Sequence, residues 1–229
     1  MFKQIKVIGF DADDTLWVNE PFYQDVEKKF CQIMNPYLTE RESSEELFKT
    51  EMQNLEIYGY GAKGFILAMI ETALESTQEK ISSAEISRIL EVGKLLLKMP
   101  IRLLNGVEEV LQKLQGSYKL IIATKGDLLD QERKLQQSGL LGYFHHIEIM
   151  SDKREKNYKK LLNHLDIEPS EFLMIGNSVK SDILPVLNIG GKAIHIPFEV
   201  TWQHENTNDD TDNESFTKVS EISDILKFL

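Results

Sequence analysis

The sequence holds a single cysteine, Cys31, so no disulfide can form within the chain, and a reducing compartment such as the cytoplasm is expected. Positive charge is also in short supply. With 26 Lys and Arg against 37 Asp and Glu, the formal net charge is -11, which argues against a nucleic-acid partner, because phosphate backbones are held by clustered basic residues. Small anions need only a local basic spot and stay admissible. Long apolar runs are missing as well: no stretch approaches the ~20 residues that cross a bilayer, so neither a membrane span nor a secretory leader is expected. The five histidines show no metal-ligating spacing and are read as structural or solvent-facing. No internal repeat is present, and nothing bears on oligomeric state.

What is present is an alternation of strand and helix. The 229 residues suffice for one large domain or for a core with a smaller insertion. "IKVIGF" (5 to 10), "KLIIAT" (119 to 124), "HIEIM" (146 to 150), "FLMIG" (172 to 176) and "KAIHI" (192 to 196) are short apolar runs bounded by turn residues. Helical spacing fills 105 to 115, 127 to 138, 153 to 165 and 180 to 189. Strands joined by helical crossovers predict an α/β fold, a parallel sheet covered on both faces, with its ligand beyond the carboxyl ends of the strands. The polar stretch 204 to 215 reads as a solvated loop. Beyond it, Val219, Ile222, Ile225 and Leu226 recover helical spacing and are expected to dock on the core.

Residues 18 to 98 interrupt this pattern with four amphipathic helices. Phe22, Val26, Phe30 and Ile33 mark the first, Phe48, Met52 and Leu55 the second, Phe65, Met69, Ala73 and Leu74 the third, and Ile86, Ile89, Leu90, Gly93 and Leu97 the fourth. The expected organisation is a core of 1–17 and 99–229 with a four-helix domain of 18–98 inserted as a lid.

The stretch "KVIGFDADDTLW" ends its strand on Asp11, Asp13 and Asp14. Like charges this close repel and lose hydration at a strand end, so they need a cation, a chemical use or helix N–H groups to cap. The other strand ends supply matching groups: Thr124 and Lys125 after one, Lys153 after another, and Asn177, Ser178 and Asp182 after a third. A phosphate monoester needs its charge masked, a nucleophile in line and a proton for the leaving oxygen. Asp11 is placed to be the nucleophile and Asp13 the general acid. Mg²⁺ would suit Asp11, the backbone carbonyl of Asp13 and Asp182 as ligands, while Thr124, Lys125 and Lys153 would bind phosphate. Lys156, one helical turn beyond Lys153, competes for the lysine role.

These motifs resemble those of the haloacid dehalogenase-like superfamily, and within it the aspartate-nucleophile phosphatases. Asp11, Asp13 and Thr15 match the first motif, Thr124 the second, Lys153 the third and "GNSVKSD" the fourth. The resemblance spans nearly the whole chain. It implies a Rossmann-like core, a helical cap inserted after the first motif, dependence on Mg²⁺ and a phospho-aspartate intermediate. Asn177 stands where an acid is commoner in the family, which leaves Asp182 as the clearer metal ligand.

The expected function is hydrolysis of small phosphorylated metabolites. The alternatives are a phosphosugar mutase or phosphotransferase of the same superfamily, and a phosphometabolite-binding protein of weak activity. A dehalogenase would have no need of Asp13. "GYGAKG" (59 to 64) satisfies the glycine spacing of a dinucleotide loop but follows a helical segment, so it reads as an interhelical turn in which Tyr60 or Lys63 is available for substrate selection.

Overall fold

The computed structural model describes Phe2 and residues 4–205 and 214–229. Residues 206–213, most of the polar stretch read above as a solvated loop, lie outside the described residues. By its internal contacts the chain divides into two compact units, one of Met1–Glu20, Ile101–Lys125 and Lys134–Leu229, the other of Pro21–Pro100 and Gly126–Arg133.

The first unit is built on strands β1 (Val7–Phe10), β2 (Lys119–Lys125), β3 (His146–Met150), β4 (Phe172–Gly176), β5 (Lys192–His195) and β6 (Phe216–Lys218). All neighbours run parallel, in the order β3-β2-β1-β4-β5-β6. This is a Rossmann-like doubly wound α/β sheet, in which the chain winds outward from β1 to β3 and then resumes on the other side of β1 with β4. The direction of winding changes between β1 and β4, where ligands of such sheets bind.

The strands read as continuous apolar runs because both faces are covered. Ile8, Phe10, Leu120, Ile122, Leu173 and Ile175 join one core with Val107, Val110, Leu111 and Leu114 of α5 (Val107–Leu114). Their sequence neighbours Val7, Ile121, Ala123, Phe172 and Met174 point the other way, onto Tyr158, Leu161 and Leu162. The period of two along each strand thus divides a single apolar run between two cores.

The chain end differs from its helical reading. β6 adds a sixth strand, and Ile222–Lys227 winds as a 3-10 helix. Val219, Ile222 and Ile225 do enter the first core, with Leu226 against it.

The second unit holds α1 (Glu20–Met34), α2 (Glu40–Tyr58), α3 (Ala62–Ser76) and α4 (Ser83–Leu96). Two of these start at capping boxes, Thr39 with Glu42 and Ser82 with Glu85, in which each side chain satisfies the other residue's backbone N–H. Val26, Phe30, Met34, Leu47, Phe65, Met69, Ala73 and Ile89 form its core. On α2 the fully buried stripe is Ser43, Leu47 and Thr50, so the apolar face expected at Phe48, Met52 and Leu55 is rotated and only half-buried. "GYGAKG" is the turn between α2 and α3. Gly59 (φ 71°) closes α2 and Gly61 (φ 112°) opens α3, and both adopt backbone that glycine alone takes up without strain. A Cβ on Gly61 would run into the backbone of Asp127, which precedes α6 (Leu128–Ser138) and whose carboxylate accepts from Lys63 at 2.7 Å.

Candidate active site

The first unit gathers most of the residues singled out by sequence at the carboxyl ends of β1, β2 and β4. Asp11 follows β1 directly and its N–H donates to the carbonyl of Ile175 in β4, which fixes it at the change of winding. Lys153 stands just before α7 (Glu155–Leu165), with its side chain 1% exposed. Its ammonium donates to Asp11 at 2.5 Å and to Asp182 at 2.6 Å. Three residues separated by up to 171 positions therefore share one buried ion cluster. Lys156 is exposed on the same helix.

Burial sets the electrostatics of this cluster. It pushes the Asp11 carboxyl up to about 7, with Lys153 pulling the other way and Asp182 adding to the rise. Burial also opposes the charge on Lys153, but Asp11 and Asp182 outweigh it and hold the ammonium above the ordinary lysine range. Lys153 is a fixed cation.

The remaining acids of the first motif divide between different tasks. Asp13 accepts from the indole Nε1 of Trp17 at 2.7 Å and from Lys134 at 2.9 and 3.1 Å, and Lys134 also donates to Asn19 at 2.8 Å. Asp14, at φ 60°, turns its carboxylate onto the N–H groups of Asn19 and Glu20 where α1 begins. That is the capping role open to an acidic turn. Burial raises Asp14 to about 7, against the pull of those N–H groups. Thr15 donates its hydroxyl to Asp11 at 3.1 Å and lies 3.3 Å from Oδ1 of Asn177.

The fourth motif is a wide turn. Val179–Ile183 winds as a π-helix that continues into α8 (Leu184–Asn188). Such turns recur at functional sites because they aim a side chain that a regular helix would not. Ser178 caps the turn by accepting from Ser181 N–H at 3.0 Å, while its own N–H donates to Asp182 at 3.0 Å. Gly176 is required here, since a Cβ would collide with the Asp182 carboxyl. The ring of His195 meets the carbonyl of Asn177 at 2.9 Å. A carbonyl can only accept, so Nε2 carries the proton and donates, and burial lowers the His195 pKa.

Thr124 is buried near the end of β2, two residues beyond the partner of Phe10. Lys125 turns away to another acid: its ammonium pairs with Glu205 and donates to Ser181 at 2.9 Å. Lys134 and Glu205 were not singled out by sequence. Lys134 sits in the polar run "DQERKLQQ" and Glu205 ends "TWQHE", so neither carries a local signal that separates it from surface charge.

The donor chemistry here suits a hard cation. Among the described residues no group of three or more His, Cys, Asp or Glu side chains is placed to hold a metal. Asp11 and Asp182 nevertheless converge on one point of positive charge, and both offer only oxygen. Such a pair of carboxylates fits Mg²⁺, which takes few protein ligands and keeps several waters. No helix among the described residues is long and apolar enough to cross a membrane.

A family model for haloacid dehalogenase-like hydrolases matches residues 5–190. A haloacid dehalogenase-like family hydrolase from Xanthomonas campestris is 39% identical and superposes with a TM-score of 0.87, covering 96% of this chain and 88% of that one. Curated relatives are more distant. The N-acylneuraminate-9-phosphatase of Homo sapiens is 27% identical over 96 residues, which are 40% of this chain and 39% of that protein, so the chain spans about two fifths of that relative's length. The glyceraldehyde 3-phosphate phosphatase of Methanopyrus kandleri is 22% identical over 90% of both chains. With its motifs meeting at the change of winding and the family model matching most of its length, the chain belongs to the haloacid dehalogenase-like hydrolases.

Proposed function

We propose that this protein is a Mg²⁺-dependent phosphatase of small phosphorylated metabolites, working through a phosphorylated Asp11. The observation that carries the reading is the Lys153 ammonium held between Asp11 and Asp182. It keeps a buried aspartate beside a fixed positive charge, the setting in which a carboxylate can meet an anionic ester. The two phosphatase relatives point the same way.

In the first step an Asp11 oxygen bonds to phosphorus as the bond to the leaving oxygen breaks, and Asp13 gives its proton to that oxygen. In the second, water attacks the acyl phosphate, Asp13 takes a proton from the water, and phosphate leaves with Asp11 restored. Lys153 and Thr124 would hold the phosphate oxygens, whereas Lys125, expected from sequence to bind phosphate, is engaged by Glu205 and Ser181. A magnesium ion held by Asp11, Asp182 and the carbonyl of Asp13 would supply positive charge to offset the negative charge of the ester. The core grips only the phosphate shared by every substrate, so selection among leaving groups is assigned to residues 18–98 acting as a cap, with Tyr60 and Lys63 the first positions to test.

The test is phosphate release across a panel of sugar phosphates, nucleotides and phosphorylated acids, with and without Mg²⁺. Release that requires Mg²⁺ and vanishes in Asp11→Asn supports the reading. An isomerised phosphate ester in place of free phosphate would assign a mutase instead.

A further inference from the structure

Glu205 has no part in the chemistry above, yet it ties two of the strand ends together. It closes the short 3-10 turn Gln203–Glu205 after β5, with its side chain 10% exposed. One carboxylate oxygen receives the Lys125 ammonium at the end of β2, and the other accepts the hydroxyl of Ser178 and that of Ser181, the latter at 2.7 Å. Lys125 donates to Ser181 as well, at 2.9 Å, so the four side chains form one connected network. Burial opposes the charge on Glu205, but Lys125 and the two hydroxyls outweigh it and hold the carboxyl at about 2.

The network is one bond away from Asp182. Ser178 donates its hydroxyl to Glu205 while its N–H orients the Asp182 carboxylate, and Ser181 is the residue just before Asp182. The turn that carries them is π-wound, a geometry that recurs at functional sites, and side chains from outside it add further ties. Tyr158 supplies one by donating to the carbonyl of Ser181 at 3.1 Å, and His195 holds Asn177. Glu205 brings a full charge to the turn from β5's side, as Lys153 does at Asp182 itself, and it also fixes Lys125.

We propose that Glu205 is a positioning residue, which holds the 178–182 turn and Lys125 so that Asp182 faces Asp11 in the arrangement a divalent cation needs. The proposal rests on the phosphatase reading for its place in turnover. Its own readout is cation binding, which needs no turnover. Groups that orient metal ligands at one remove commonly change metal affinity or activity ~10- to 100-fold when replaced.

The experiment uses the full chain with Mg²⁺ alone and with p-nitrophenyl phosphate. Glu205→Gln keeps the shape and removes the charge, whereas Glu205→Asp keeps the charge. Mg²⁺ should raise the melting temperature of the wild type, since a ligand that binds the folded state stabilises it by mass action. In Glu205→Gln the half-saturating Mg²⁺ concentration should rise ~10-fold or more, in melting shift and in kinetics alike, and Glu205→Asp should recover part of the loss. A residue that merely braced the fold would lower the melting temperature and leave the Mg²⁺ requirement unchanged, and that result overturns the proposal. So does a wild type whose melting Mg²⁺ does not shift. Should Glu205→Gln fail to fold, Ser181→Ala removes one donor and keeps the ion pair, and the proposal then stands or falls on a smaller rise in the same constant. A wild type that binds Mg²⁺ but releases no phosphate from any ester defeats the phosphatase reading and leaves the binding arm to decide on Glu205.

Discussion

Lys134 grips Asp13 by both carboxylate oxygens, at 2.9 and 3.1 Å, across 121 positions of sequence. With Trp17 on one of the same oxygens, Asp13 is held on two sides. In the proposed mechanism Asp13 serves the leaving group, and such an acid has to be aimed; Lys134 is the cation placed to aim it.

Lys134→Met should therefore lower turnover ~10- to 100-fold while leaving Asp11 and Lys153 in place. The loss should be larger for esters with poor leaving groups, which depend most on the proton from Asp13. Steady-state rates on an alkyl and an aryl phosphate check this, and equal losses on both would remove the aiming role.

Asp11→Asn should abolish measurable turnover with little loss of stability, because the amide keeps the shape and Lys153 retains Asp182 as its partner. Lys153→Met should behave differently, since it leaves two buried carboxylates without their cation and costs ~3–5 kcal/mol. Urea denaturation of the two variants separates the effects. Similar stabilities would show that the cluster is less closed to water than its burial indicates.

Chelation offers a third check. Exhaustive EDTA treatment should eliminate phosphate release, and added Mg²⁺ should restore it. Full activity after chelation would sink the cation assignment.

In the helical unit, burial and the charge of Glu27 raise the Glu51 carboxyl from 4.5 to about 8. A carboxyl raised on folding favours the folded state in its protonated form. Its contribution is full below about 4.5 and is lost as pH climbs through about 8. Glu51→Gln, which removes the titration, should match the wild type at pH 4 and exceed it at pH 9 by ~1–3 kcal/mol, after allowance for partial solvent screening. Thermal melts at the two pH values test it, and a stability gap independent of pH would contradict it.

Legible in the sequence were the α/β class, the five longer strands, the helices α1 to α4 and the placing of Asp11, Lys153 and Asp182 after strand ends that face one side of a sheet. These features are local or follow from a rule: apolar runs set strands, 3.6-residue spacing sets helices, and a parallel sheet brings every strand end to the same side. The choice of Lys153 over Lys156 came from nearness to a strand end, and the structure puts the first on Asp11 and Asp182 and the second in solvent. Tertiary structure alone decided which face of α2 is buried, that residues 216–218 pair as a sixth strand, and that Asp14 caps a helix. It alone brought Lys134 to Asp13 and Glu205 to Lys125, 80 positions apart. A long charged side chain in a polar segment looks the same in sequence whether it ends in water or in an ion pair, because its partner is chosen by packing between elements and by the cost of burying a charge unpaired.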